Sequence, residues 1–203
     1  TEERHESLPA LTVGVDSFPP FNYTDTDGNP TGVDIDLAKE AFGRMGFTPV
    51  FETIDWEKKK QLVEDGSIDC IWSCFSMNGR EDEYRWAGPY MYSRQVIAVN
   101  KSSDIYSLRD LDGRTVALQS TTKPEELFRT HNDDRLPRFA RIISVPHREL
   151  IYTFLSKGYV DAIAAHDTAI EQFMKDYELD GFRILDEELL KADLGVAFAL
   201  DDK

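Results

Sequence analysis

Within the eight residues Ser73-Cys74-Phe75-Ser76-Met77-Asn78-Gly79-Arg80 the chain gathers hydroxyls, a glycine and one guanidinium. The stretch follows the apolar, strand-like run Ile68–Trp72 and precedes the acidic run Glu81-Asp82-Glu83, which reads as the start of a helix. Strand-to-helix junctions are where α/β sheets take ligands. An arginine there offers a planar fork to two carboxylate oxygens, and turn N–H groups add further donors. The competing reading pairs Arg80 with Glu81, Asp82 or Glu83 on the surface, an arrangement worth little. Two further stretches carry suitable groups. Thr121-Thr122 precedes Lys123-Pro124-Glu125 at a helix start, and His166-Asp167-Thr168 lies where a strand passes into a helix. Both could cap those helices or meet a ligand there. Phe18 and Trp56, beside Pro19-Pro20-Phe21 and Asp55, would ordinarily be core or rim aromatics.

Composition narrows the chemistry. A net charge of −15 opposes attraction to nucleic acid and to anionic membrane surfaces, and no basic stripe appears. A chain of 203 residues with 41% hydrophobic content can hold two small α/β lobes. No apolar run reaches membrane-spanning length, and Thr1–Glu6 is polar, so the chain is either cytosolic or has lost a targeting segment. Cys70 and Cys74 would stand roughly 13 Å apart along an extended strand, too far for a disulfide. His5, His131, His147 and His166 are scattered without metal-ligand spacing, so no metal and no cofactor is expected.

Several elements must position these groups. Leu11–Val15 alternates like a strand and stops at Pro19-Pro20. Asp27-Gly28 marks a turn, and a helix follows Gly32 with Ala38, Ala41, Phe42 and Met45 on its apolar face, closed by Gly46. Thr48–Ile54 is a second strand, Asp55 caps a helix from Trp56 to Glu64, and Ile68–Trp72 is a third strand. Such a strand-helix-strand order demands parallel pairing. After an extended segment from Gln95 to Asn100 the pattern restarts. Leu108–Gly113 forms a helical turn and Thr115–Leu118 a strand, and a helix capped by threonine follows. Ile142–Val145 and Val160–Ala165 are further strands around a helix from Arg148 to Ser156. A helix runs on from His166 to Met174, and Phe182–Leu185 and Leu194–Leu200 are two last extended runs.

From Leu11 to the C-terminus the chain resembles the type II periplasmic binding proteins, specifically the polar amino-acid receptors of ABC importers. The resemblance rests on Leu11–Asp16 followed by Pro20-Phe21, on Gly32–Ala38, Gly66–Cys70, Leu108–Gly113 and Gly158–Ala162, in that order and spacing. It implies an α/β fold of two lobes, each a mainly parallel sheet flanked by helices, joined by two extended hinge crossings and closing on an amino acid. Lobe 1 would comprise residues 1–96 with 195–203, and lobe 2 residues 97–194.

The resemblance also implies roles. Phe18 and Trp56 match aromatics that flank the ligand, where an ammonium or guanidinium would gain cation–π energy. Ser76 and Arg80 match the hydroxyl and arginine that hold the ligand carboxylate, with Cys74 and Phe75 in the same turn. Thr121 and Thr122 complete that carboxylate site, and Asp167 receives the α-ammonium with His166 beside it. Asp16 matches a position that contacts a polar or cationic side chain, favouring arginine, lysine, histidine or an amide such as glutamine. Two lengths depart from the family pattern: one residue fewer separates Ser76 from Arg80, with Gly79 accommodating the tighter loop, and one extra residue lies between Asp161 and His166-Asp167. The implied protein is no enzyme. It is an extracytoplasmic monomer, in the periplasm or lipid-anchored at the cell surface, that hands a free amino acid to ABC importer membrane subunits. The same fold also serves as the sensing domain of transmembrane receptors, a reading to which the end at Leu200–Lys203 lends some weight because relatives continue further, although truncation or disorder explains that end equally well. A dehydratase on this scaffold would need His166 as its acid or base.

Overall fold

The computed structural model describes residues 8–202. They form two compact units, one of the described residues up to Tyr90 with those from Leu194 onward, the other Met91–Asp193. Among the described residues no helix is long and apolar enough to cross a membrane, and no group of three or more His, Cys, Asp or Glu could hold a metal ion.

The first unit opens with β1 (Ala10–Val15), a small hairpin of β2 (Tyr23–Thr24) and β3 (Pro30–Thr31), and α1 (Val33–Arg44). It continues with β4 (Thr48–Thr53), a 3-10 turn at Trp56–Lys58, α2 (Lys59–Glu64) and β5 (Cys70–Ser76). Parallel pairing sets Val13 against Phe51 of β4 and against Cys70 of β5, as the intervening helices require. Strand β5 is buried along its whole length and shows the period of two. Cys70 and Trp72 join the cluster of Val13, Ile35 and Phe42, while Ile71 and Phe75 join that of Ile54, Trp56 and Tyr84.

The chain passes to the second unit along β6 (Arg85–Asn100), which leads to β7 (Thr115–Gln119), α3 (Lys123–Thr130), β8 (Arg141–Val145), α4 (Glu149–Ser156), β9 (Ala162–His166) and α5 (Asp167–Asp176). It returns along β10 (Phe182–Phe198). Strand β7 lies between β8 and β9, parallel to both, and β9 pairs antiparallel with β6. Alternation again divides the core: Ile97, Val116 and Leu118 pack with Phe128 of α3, whereas Val96, Ala117 and Ile163 pack with Ile151 of α4 and Ile170 of α5.

Five local expectations change. The strand ending at Trp72 runs on to Ser76, and Glu81–Glu83 is a turn rather than a helix. Three acidic residues cannot repay helix nucleation, and Tyr84 and Trp86 instead pack their rings 5.3 and 5.1 Å from Phe75. The runs Phe182–Leu185 and Leu194–Leu200 belong to one strand, β10, ending at Phe198. Met45 follows the last helical residue of α1 and is 59% exposed, so it leaves the apolar face that Ala38 and Phe42 share. Thr122 is the N-cap of α3 but its side chain does not cap.

Entry to α1 fixes the preceding loop. Val33 and Asp34 donate their N–H groups to the carbonyls of Pro20 and Phe21, at 3.1 and 2.8 Å. Gly32 sits at φ 118° with the Phe21 carbonyl oxygen only 2.4 Å from where a Cβ would stand. Any side chain would push that carbonyl from the helix amides. Gly32→Ala is therefore expected to cost about 2 kcal/mol or more; urea unfolding checks this, and a loss below about 0.5 kcal/mol, the scale of an ordinary surface change, would show that the loop yields freely.

Candidate functional site

In the first unit the parallel strands β1, β4 and β5 all end at candidate residues: Asp16 follows β1, Asp55-Trp56 follow β4, and Ser76 closes β5. The second unit repeats the arrangement. Thr121-Thr122 follow β7 and His166-Asp167 close β9. Ligand sites gather at such carboxyl ends.

Behind the first set lies a buried carboxylate that sequence reading did not single out. Asp34 is 1% exposed. It accepts from Tyr90 Oη at 2.7 Å, from the Cys74 N–H at 2.7 Å and from Asn22 Nδ2 at 3.4 Å. Asn22 also donates to Ser73 Oγ at 3.0 Å, and that oxygen accepts the Asp16 N–H at 2.9 Å. Cys74 is thereby held at φ 48°, a left-handed conformation that side chains resist. Burial pushes the Asp34 carboxyl up to about 6, opposed by the hydrogen bonds it accepts.

Past Cys74 the strand aims its groups in different directions. Phe75 is 2% exposed and belongs to the core, so its ring supports the site from beneath. Ser76 Oγ donates to Asn78 Oδ1 at 2.8 Å. The short loop closes by an Arg80 N–H to Met77 carbonyl bond of 2.9 Å, with Gly79 at φ 69°. Gly79 N–H donates to Glu81 Oε1 at 3.0 Å, and the Arg80 carbonyl accepts from Trp86 Nε1 at 2.9 Å. The Arg80 guanidinium is folded inward: Nη1 donates to the Ser76 carbonyl at 2.9 Å and the group stands 5.1 Å from the Phe75 ring centre. Such a buried, fixed cation is what an anion receptor needs.

Phe18 and Trp56 are both buried. The Phe18 carbonyl accepts from the N–H groups of Phe21 and Asn22, and its ring lies 5.4 Å from that of Phe21. Trp56 stands edge-on to Phe75 at 5.3 Å, its turn capped by the Asp55 carboxylate on the Glu57 N–H. Over the Trp56 ring, 4.8 Å from its centre, sits the ammonium of Lys59. This residue is hidden in the run Lys58-Lys59-Lys60, which reads as a solvated face. The available signal is its spacing of three from Trp56, one helical turn.

In the second unit Thr121 takes φ 57° and gives its N–H to Glu125 Oε2 at 2.6 Å. Thr122 Oγ1 donates backward to the Gln119 carbonyl at 2.6 Å, which is why it does not cap α3. Gln119 in turn accepts from Arg148 Nη2 at 2.7 Å and donates to the Pro146 carbonyl. Asp167 accepts from Arg94 Nε at 2.9 Å on one oxygen and from the Thr168 N–H on the other. Neither Arg94 nor Arg148 was expected from sequence.

His166 turns into the protein. It is 5% exposed, with Nε2 3.0 Å from Gln95 Nε2 and Nδ1 2.8 Å from Ser93 Oγ. Both ring nitrogens thus lie within hydrogen-bond distance of a polar neighbour. Burial, then the Arg148 charge, pull its pKa down to about 3. A ring so strictly neutral is no general acid at physiological pH.

Two outcomes follow. Removing Asp34 strands three buried donors, so Asp34→Ala is expected to lose about 3 kcal/mol or more in urea unfolding, with Asp34→Asn losing less. For His166 the folded pKa lies below the ordinary value, so the unfolded chain takes a proton that the folded unit refuses. Stability from this group is complete above about pH 6.5 and is lost as pH falls towards 3. The stability gap between the protein and its His166→Gln variant should therefore shift by ~3 kcal/mol between pH 7 and pH 4; a constant gap would contradict a buried neutral ring.

Residues 11–183 match the family described as bacterial extracellular solute-binding proteins, family 3. The chain is 29% identical over 202 residues to the histidine-binding periplasmic protein of Escherichia coli (strain K12), an alignment covering 95% of this chain and 76% of that one. It is similar to a solved ancestral arginine-binding protein bound to arginine, with TM-score 0.86, 25% identity and coverage of 97% and 87%. An ancestral arginine-binding protein bound to glutamine matches with TM-score 0.84, 26% identity and coverage of 95% and 85%. The fold class expected from the motifs, the α/β type II periplasmic-binding-protein fold, is borne out. The chain belongs to the bacterial extracellular solute-binding proteins, family 3, a family of binding proteins rather than enzymes.

Proposed function

We propose that the protein binds a free polar or cationic L-amino acid outside the cytoplasm and delivers it, as a monomer, to the membrane subunits of an ABC importer. The observation that carries this reading is Arg80, a buried guanidinium fixed on Phe75 and on the Ser76 carbonyl at the carboxyl end of β5. Arg80 with Ser76 is the receptor for the α-carboxylate, and the Thr121-Thr122 turn adds donors to it. Asp167 is the receptor for the α-ammonium. Its existing partner does not bar this role: Arg94 is about half exposed, and a pair of that kind contributes under about 1 kcal/mol. Phe18 and Trp56 supply apolar walls to the ligand side chain, and Asp16 supplies an acceptor to its polar end. Family membership, and relatives whose names specify histidine and arginine, support the amino-acid class.

A thermal-shift screen of the proteinogenic amino acids tests the reading, because a specific ligand stabilises by mass action. At least one polar or basic amino acid should raise the melting temperature. Arg80→Ala should weaken that ligand by on the order of 2–5 kcal/mol in calorimetry, the cost of removing one partner of a desolvated charge pair. If no amino acid shifts the transition, or if the Arg80 variant binds unchanged, the proposal fails.

A further inference from the structure

We infer that Arg148 is a positioning residue for ligand binding: acting through the Gln119 side chain, its guanidinium holds the Thr121-Thr122 turn in the conformation in which the turn serves the ligand. This rests on the reading that the turn offers donors to an α-carboxylate. Arg148 stands immediately before α4 and is 8% exposed. A helix start favours an anion, and burying a cation is costly unless it is well bonded. Neither the start of α4 nor apolar packing therefore explains an arginine in this place. Its bond to the end of the neighbouring strand does. Nη2 donates to Gln119 Oε1 at 2.7 Å, and Gln119, itself 3% exposed, donates through Nε2 to the Pro146 carbonyl at 3.0 Å.

The orientation of that amide is determined twice over. A guanidinium only donates and a carbonyl only accepts, so turning the Gln119 amide over would set donor against donor and acceptor against acceptor. Gln119 thereby ties the last residue of β7 to the loop between β8 and α4. Its backbone carries the turn: the Gln119 carbonyl accepts from Thr122 Oγ1 at 2.6 Å, and the next N–H, that of Ser120, donates to the Val145 carbonyl at 2.8 Å. Between these bonds Thr121 takes φ 57°, a left-handed conformation that a β-branched residue resists and that its surroundings must impose. The Ser120 side chain does not help to impose it, because its Oγ is buried with no hydrogen-bond partner among the described residues. Without the guanidinium, Gln119 Oε1 loses a charged donor in a buried place and the amide is free to turn over. Thr121 can then relax from its strained φ, which re-aims the N–H groups of the turn.

Amide hydrogen exchange and calorimetric titration test this on the whole protein and on Arg148→Met, Arg148→Lys, Gln119→Met and the double variant Arg148→Met/Gln119→Met, each first checked for a folded circular dichroism spectrum. Before any ligand is added, the Ser120 and Thr121 amides should exchange about tenfold faster in Arg148→Met, with the amides of the first unit unchanged. Titrations use L-arginine, L-lysine, L-histidine, L-glutamine and any further proteinogenic amino acid that raises the melting temperature. Whichever of these binds the unaltered protein should bind Arg148→Met about tenfold more weakly and Arg148→Lys less weakly than that, whereas adding Arg148→Met to Gln119→Met should change the affinity by less than about twofold, because the guanidinium then has nothing to act through. Where Arg148→Met does not fold, Arg148→Lys closes the same cycle. Unchanged exchange at Ser120 and Thr121, or an affinity that falls less than about twofold, overturns the inference and leaves the amino-acid reading standing. So does a full loss in the Gln119→Met background. Failure of every amino acid to bind the unaltered protein overturns the two together.

Discussion

A single buried carboxylate organises the first unit. Asp34 enters from the first turn of α1 and accepts hydrogen bonds from β5, from Tyr90 and from Asn22 of the loop after β1. Burying a charge is expensive, and the upward shift of its pKa to about 6 measures that expense. The carboxylate nevertheless fixes what an apolar residue could not. The Cys74 N–H is bound to it with Cys74 in a left-handed conformation, just ahead of Ser76 and the Arg80 loop. Gly32 belongs to the same device. Its positive φ lets the Pro20 and Phe21 carbonyls reach the helix amides, and those bonds hold Asp34 at the depth where Asn22 and Cys74 meet it.

The second unit reaches a comparable end by opposite electrostatics. A buried titratable group there, His166, is kept neutral by burial and by the Arg148 charge, and is bound to Ser93 and Gln95 on the neighbouring strand. The two groups respond to acid with contrary signs. Asp34 has a raised pKa, so its share of stability is fullest below the ordinary carboxylate range and fades as pH rises through 6. His166 has a lowered pKa, and its share fades as pH falls below about 6.5. Acid therefore relieves one unit and strains the other. His166 also orients its neighbour: with the ring turned inward at the end of β9, Asp167 opens α5 with its carboxylate shared between Arg94 and the Thr168 N–H.

Most of the scaffold was legible because each element announced itself by period. The alternation in Leu11–Val15, the segment Thr115–Leu118 and the apolar run Ile68–Trp72 returned as strands, and the order of motifs led to the right family. What sequence did not disclose was decided by tertiary contacts. Glu81–Glu83 looks helical until the pull of Tyr84 and Trp86 towards Phe75 is known. Thr122 looks like a capping side chain until the Gln119 carbonyl is found 2.6 Å away. Met45 carries the right spacing for the apolar face of α1 but lies past its last turn. Lys59, in a run of three lysines, resembles its solvated neighbours, and only the position of Trp56 one turn back distinguishes it.

Phe75 shows why residue type and role can part company within a motif. It lies in the stretch that suggested an anion site, yet strand alternation sends its ring to the core. From there it does more for the site than a ligand contact would. Trp56 packs against its edge, and Arg80 and Lys59 both rest near its face. An arginine tethered only by its own flexible stem would sample many rotamers and lose entropy on meeting an anion. Here the shortened loop brings Arg80 back over the strand, the Ser76 carbonyl takes one of its donors, and the ring bounds it from below. The tight loop thus trades reach for rigidity, and the guanidinium is held in one place rather than spread over many rotamers.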